Sequence, residues 1–125
     1  MEQGLKYTSE EKVSTENIAK NVGSGDLEVY ATPAMSALME NAAMNAVAKV
    51  LPEGSTTVGS LLEITHDRPS GIGETIQATA TLVEIAGRKL TFEVEAADSK
   101  GVIGKGKHVR YIVDIQRFLS KIPSK

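Results

Sequence analysis

The spacing of hydrophobic positions changes once along this chain, and the change divides it in two. Through residues 32–51 apolar side chains recur at helical spacing. From residue 56 to about 115 they alternate with polar ones. The first segment predicts one helix of about 19 residues, roughly 28 Å long. Thr32 is placed to cap it, Pro33 takes the first helical position, and Pro52 with Gly54 ends it. Asn41, Asn45 and Lys49 fall on one narrow polar stripe. Glu40 stands roughly 140° from the centre of that stripe, flanked by Met44, Val47 and Leu51. A helix apolar nearly all round is expected to be buried, so a carboxylate on its apolar side requires a reason.

After residue 52 the period is two. Between 56 and 66 one face carries Val58, Ser60, Leu62, Ile64 and His66, the other Thr57, Gly59, Leu61, Glu63 and Thr65. The first is expected to face the core, with His66 as its last member. Asp67 to Gly73 is rich in turn residues. The strand near 74–85 sets Ile76, Ala78, Ala80 and Leu82 on one side. Ala86, Gly87 and Arg88 then signal a tight hairpin, and Leu90, Phe92, Val94 and Ala96 alternate with polar residues beyond it. A turn through Asp98 and Gly101 leads into a long last strand with Val109, Tyr111, Val113 and Ile115 on one face. Ahead of the helix, residues 5–13 read as an edge strand, and the polar stretch ending in Gly23, Ser24, Gly25 and Asp26 reads as loop.

Strands joined by turns this short pair antiparallel. One apolar helix and one sheet with a single apolar face are both satisfied when the sheet curls around the helix. The expected fold is α+β: a hotdog fold, an antiparallel β-sheet wrapped around one long central α-helix, in a single domain spanning 1–125. Small residues at 78, 80 and 96 would allow close approach of strand to helix. Such a sheet exposes edges, and covering one by a second copy predicts a homodimer or a dimer of dimers.

Composition narrows the function. With 41% hydrophobic and 24% charged residues the chain has the balance of a soluble globular domain. A net charge of −2 gives no electrostatic support for nucleic-acid binding. The absence of cysteine removes disulfides, zinc–thiolate sites and a cysteine nucleophile. His66 and His108 are the only histidines, so no metal site is expected. No apolar leader opens the chain, and its one long apolar run carries Glu40 and Lys49, so no membrane span is expected. A cytoplasmic location is the default expectation.

Three polar residues stand where apolar ones would be expected: Thr32, Glu40 and His66. Singly, each has an ordinary explanation, as a cap, a paired buried carboxylate and a hydrogen-bonded strand end. Together, a hydroxyl, a carboxylate and an imidazole are the parts needed to hydrolyse an ester or thioester. A carboxylate in an apolar setting gains basicity, an imidazole near neutrality can share a proton, and a helix N-terminus offers N–H groups to an oxyanion. Eight residues apart, Thr32 and Glu40 are roughly 80° apart around the helix, so they share a side without touching.

Six blocks then carry a resemblance: Gly23 to Leu27; Ala31, Thr32, Pro33, Ala34 and Met35 with Leu38, Met39 and Glu40; Thr56 to Gly59; Thr65 and His66 with Pro69 and Gly73; Gly87 to Leu90; and Gly104 to Arg110. In this order and spacing they resemble the fluoroacetyl-CoA thioesterase-like family of hotdog acyl-CoA thioesterases, from about Val22 to Phe118. The resemblance implies a catalytic set on Thr32, Glu40 and His66, a site at a dimer interface, and a backbone N–H near Gly59 that holds the thioester carbonyl. It implies no cofactor beyond the coenzyme A of the substrate. The family's lid and gating phenylalanine are not recognisable among Phe92 and Phe118, so specificity for fluoroacetate is not carried over. Arg68 could meet the CoA phosphates or pair with a neighbour. His108 and Arg110 share a strand face and could line a CoA channel or a solvated surface.

The expected function is hydrolysis of a small acyl-CoA thioester, with Glu40 as general base or nucleophile. A hotdog hydratase or dehydratase is the enzymatic rival, disfavoured because its carboxylate and histidine normally lie close in sequence. A non-catalytic acyl-CoA-binding protein is the other.

Overall fold

In the computed structural model, which describes residues 1–124, five strands form one antiparallel sheet. They are β1 (Lys6–Lys12), β2 (Ser55–His66), β3 (Thr75–Ala86), β4 (Lys89–Asp98) and β5 (Gly101–Asp114), in the spatial order β1-β3-β4-β5-β2. A short helix α1 (Ala19–Val22) precedes the long α2 (Thr32–Val47), and α3 (Ile115–Leu119) follows β5. The curled sheet around one long helix is the hotdog arrangement that the change of period predicts. No helix among the described residues is long and apolar enough to cross a membrane.

The core forms where α2 meets the concave face of the sheet. Met35, Leu38, Met39, Ala42, Ala43 and Val47 bury one side of the helix. Against them lie Ile76, Ala78, Ala80 and Leu82 of β3 and Leu90, Phe92, Val94 and Ala96 of β4, all nearly or fully excluded from water. These are the alternating positions that the sequence assigns to the inside. The alanines admit the helix close to the strands, and so does Gly104 of β5, while Gly106 admits the backbone of β2. A Cβ at Gly104 would meet the thioether of Met35 at 3.0–3.1 Å, and one at Gly106 would strike the backbone of Glu63 on β2.

Several local expectations are corrected. The N-cap of α2 is Ala31, with extended backbone and no side-chain cap, so Thr32 lies inside the first turn and its hydroxyl is free for another partner. The helix keeps its expected length, with regular turns from Thr32 to Val47 and a single 3-10 turn over Ala48–Val50. The helix is not enclosed all round: Pro33, Ala37, Asn41, Met44 and Ala48 form one exposed stripe with Glu40 half-buried at its margin. Part of the stretch expected as loop is α1, which Gly23 ends in the left-handed conformation at φ 90°.

The most consequential correction is in β2. Its pairing with β5 slips between Gly59 and Leu61, leaving Ser60 as a bulged residue. One extra residue inverts the parity of the strand. Leu62, Ile64 and His66 therefore face inward as expected, but before the bulge the inward residues are Thr57 and Gly59, not Val58 and Ser60.

Gly106→Ala places a methyl against the Glu63 carbonyl, and such overpacking costs about 1–3 kcal/mol. Urea unfolding should show a lower midpoint at an unchanged slope, and a wild-type midpoint would mean that β2 and β5 can part without cost.

Candidate active site

The polar groups singled out in the sequence gather in two places along α2, not one. The first is the start of the helix. Ala31 is extended and Thr32 begins the first turn, while β2 ends at His66, so the two side chains meet with Thr32 Oγ1 2.7 Å from His66 Nδ1. The Tyr30 ring stands edge-on to the imidazole at 6.4 Å and donates its hydroxyl hydrogen to Glu11 at 2.6 Å. His66 Nε2 is buried and has no hydrogen-bond partner. Among the described residues no carboxylate bonds this imidazole, and Thr32 is its one hydrogen-bond partner. Burial holds His66 below its ordinary pKa, with the charge of Asp67 opposing. A cleft of about 290 Å³ opens over the pair, lined also by Tyr30, Asp67, Arg68 and Pro69.

Arg68 is largely spoken for. Its guanidinium bonds Asp98 at 2.9 Å and the carbonyls of Gly101 and Val102, while the Ser70 hydroxyl donates to the same carboxylate at 2.7 Å. Burial alone would raise the Asp98 carboxyl, yet Ser70, the Lys100 N–H and Arg68 together hold it below its usual range. Arg68 thus pairs with a neighbour while still lining the cleft over Thr32 and His66.

The second place lies two helical turns along, about 12 Å from Thr32 at 1.5 Å per residue. Here Glu40 stands directly over Gly59. A Cβ on Gly59 would be 3.1 Å from Glu40 Oε2, 3.2 Å from His108 Cε1 and 3.4 Å from Arg110 Nη1. Three side chains thus converge on a space that exists because residue 59 has none. Arg110 donates from Nε to Thr57 Oγ1 at 2.8 Å, from Nη2 to the Thr57 carbonyl at 2.9 Å and from Nη1 to His108 Nε2 at 3.1 Å. Burial holds the guanidinium below its ordinary range, against the pull of Glu40. Glu40 and Arg110 face each other without an ion pair, the described pairs being Lys20–Glu28, Arg68–Asp98 and Lys107–Glu63. Both line an open cleft of about 440 Å³, together with Ala37, Met44 and Gly59.

This setting removes one of the two readings of the last strand. His108 is fully excluded from water and Arg110 is 7% exposed, so they form no solvated face; Arg110 borders the cleft, and His108 lies behind it. The surroundings of Glu40 also differ from the apolar ones expected, since a guanidinium faces it. Thr57 was missed outright, because the parity read from the sequence turned it outward. One signal was available: Gly104, Gly106, His108 and Arg110 lie at alternate positions, and two glycines in register mark a face that something approaches closely. A larger concavity, about 810 Å³, is elsewhere, on the outer face of the sheet among Glu63, Thr79, Glu93 and Lys105. Among the described residues no cluster of three or more His, Asp or Glu could hold a metal.

Residues 13–116 match the family model of the fluoroacetyl-CoA-specific thioesterases. The fluoroacetyl-CoA thioesterase of Streptantibioticus cattleyicolor is 36% identical over 98 residues, covering 78% of this chain and 70% of that one. A solved structure of the fluoroacetyl-CoA thioesterase FlK superposes with a TM-score of 0.90 at 29% identity, covering 98% of each chain. A thioesterase superfamily member from Thermus thermophilus superposes at 0.88 with 26% identity, over 95% of this chain and 88% of that one.

The two histidines set a pH dependence of stability. Burial lowers both below the ordinary value, His108 with help from Arg110 and against the Leu61 carbonyl and Glu40. Below about pH 6.5 the unfolded chain therefore binds protons that the folded one does not. Stability should be full above that pH and fall as the pH drops toward the folded values. Calorimetric melts between about pH 7.5 and 5.5 should show a falling Tm, with a shallower fall in His66→Asn; a Tm flat across the window would refute the linkage.

Proposed function

The chain belongs to the fluoroacetyl-CoA-specific thioesterase family, and we propose from this premise how its residues hydrolyse a small acyl-CoA thioester to the free acid and coenzyme A. The observation that carries the proposal is the Glu40 cleft: a carboxylate over a glycine, faced by a fixed guanidinium, in a space of about 440 Å³. The thioester carbonyl fits against Gly59, where the absence of a side chain and the neighbouring bulge leave the backbone approachable. Glu40 takes a proton from water as the water oxygen bonds to the carbonyl carbon. Negative charge grows on the carbonyl oxygen in the field of Arg110 and the backbone N–H groups. Collapse of the adduct breaks the carbon–sulfur bond, and the proton held by Glu40 returns to the departing thiolate.

Thr32 and His66 serve the other end of the site. With its proton on Nδ1, His66 donates to Thr32 Oγ1 and leaves the threonine hydroxyl hydrogen free to bind the substrate. Each cluster borders its own open cleft between α2 and β2, and a second copy seated over both makes of them one shared groove. The support for a homodimer is twofold: β2 is an edge strand with Leu61 40% exposed, and the uncovered stripe of α2 runs beside it through Ala37 and Met44.

Glu40→Gln should lower the rate of thiol release from short acyl-CoAs by about 10²-fold or more, as loss of a general base does, with an unchanged melting temperature. Wild-type rates in that variant would remove Glu40 from the mechanism. Light scattering should give twice the 13.3 kDa chain mass, and a monomer that hydrolyses at full rate would refute the shared groove.

A further inference from the structure

Buried histidine and buried arginine side by side are an unfavourable pairing unless the histidine is neutral and correctly oriented. The geometry specifies that state. His108 Nδ1 lies 2.7 Å from the Leu61 carbonyl oxygen, which can only accept, so Nδ1 carries the hydrogen. Nε2 is then a bare acceptor, and Arg110 Nη1 donates to it at 3.1 Å. With Thr57 taking two more donors, the guanidinium is held from three sides, and its remaining N–H groups are left for the cleft. The charged groups facing His108 are Arg110 of β5 and Glu40 of α2. On its other sides β2 presents the Leu61 carbonyl and Gly59, and β4 presents the Phe92 ring at 6.3 Å.

We propose that His108 is a positioning residue and an acid-sensitive switch: as the neutral ring it fixes the Arg110 guanidinium over Gly59, and on protonation it releases it. A proton on Nε2 converts the acceptor into a donor aimed at a donor and sets two cations against each other at van der Waals range. The guanidinium must then turn away, and the field opposite Glu40 is lost. The inference rests on the thioesterase reading of the Glu40 cleft, but its structural half stands apart from catalysis. The lowering of the His108 pKa by burial and by Arg110 keeps the ring neutral near pH 7 and places the switch on the acid side.

Two variants of the full-length chain separate positioning from packing. His108→Leu keeps bulk and removes the acceptor. His108→Gln supplies one donor and one acceptor and does not titrate. Thiol release from acetyl-CoA should show kcat of His108→Leu reduced by about 10²-fold, with KM little changed. His108→Gln should recover most of that loss and flatten the acid limb of the wild-type pH profile. In nitrogen-15 NMR the Arg110 Nε–H signal should be sharp in wild type and His108→Gln, broadened in His108→Leu, and should broaden on acidification with the midpoint of the His108 ring. Wild-type kcat in His108→Leu, or an acid limb that persists unchanged in His108→Gln, would overturn the proposal. An Arg110 signal that ignores the His108 midpoint would overturn it even if acetyl-CoA is not cleaved or the leucine variant does not fold. Activity of Glu40→Gln measured in parallel tells that failure from a failure of the functional reading.

Discussion

Close approach of α2 to the sheet is the constraint on which the rest depends. A helix can lie in the curl of five strands only where the facing side chains are small, and this chain supplies Ala78, Ala80, Ala96 and Gly104 along that contact. Close packing makes the interior dense and dry, with most inner positions fully excluded from water. It also makes any polar group there costly unless bonded. Each polar residue admitted to the interior is therefore either fully partnered or placed where something else can partner it.

The two clusters illustrate the two cases. At the Glu40 end Arg110, Thr57, His108 and the Leu61 carbonyl bond one another, so a buried guanidinium is held from three sides. Among the described residues the Glu40 carboxylate has no ion-pair partner, and it borders the cleft. At the Thr32 end the hydrogen bond between threonine and imidazole is short, but Nε2 is left unpartnered. The same helix thus carries a rigid electrostatic frame in its middle and an adaptable pair at its start. Catalytic sites built on regular elements gain precision from such framing.

Residue parity links the fold to this chemistry. The change of period from 3.6 to 2, the turns, and the inner faces of β3 and β4 were all legible, because alternation of apolar and polar residues reports directly which side meets the core. Thr32, Glu40 and His66 stood out for the same reason, being polar where the pattern calls for apolar. Thr57 was invisible because the bulge at Ser60 shifts the strand by one residue, and nothing in the local pattern marks it. The burial of His108 and Arg110 was hidden by their charge, since such residues ordinarily face water.

Local spacing, then, was enough to determine one long helix, consecutive hairpins, an α+β sheet curled round the helix, and the candidates that interrupt its apolar faces. The tertiary structure alone decided how those candidates are grouped. Thr32 and His66 are 34 positions apart and touch, whereas Thr32 and Glu40, eight apart, do not. Glu40 instead meets Gly59 and faces Arg110, brought beneath it by the pairing of β2 with β5. Contacts between distant segments depend on register, bulges and the depth to which a helix settles. These are set by the packing of the whole chain, and no window of the sequence contains them.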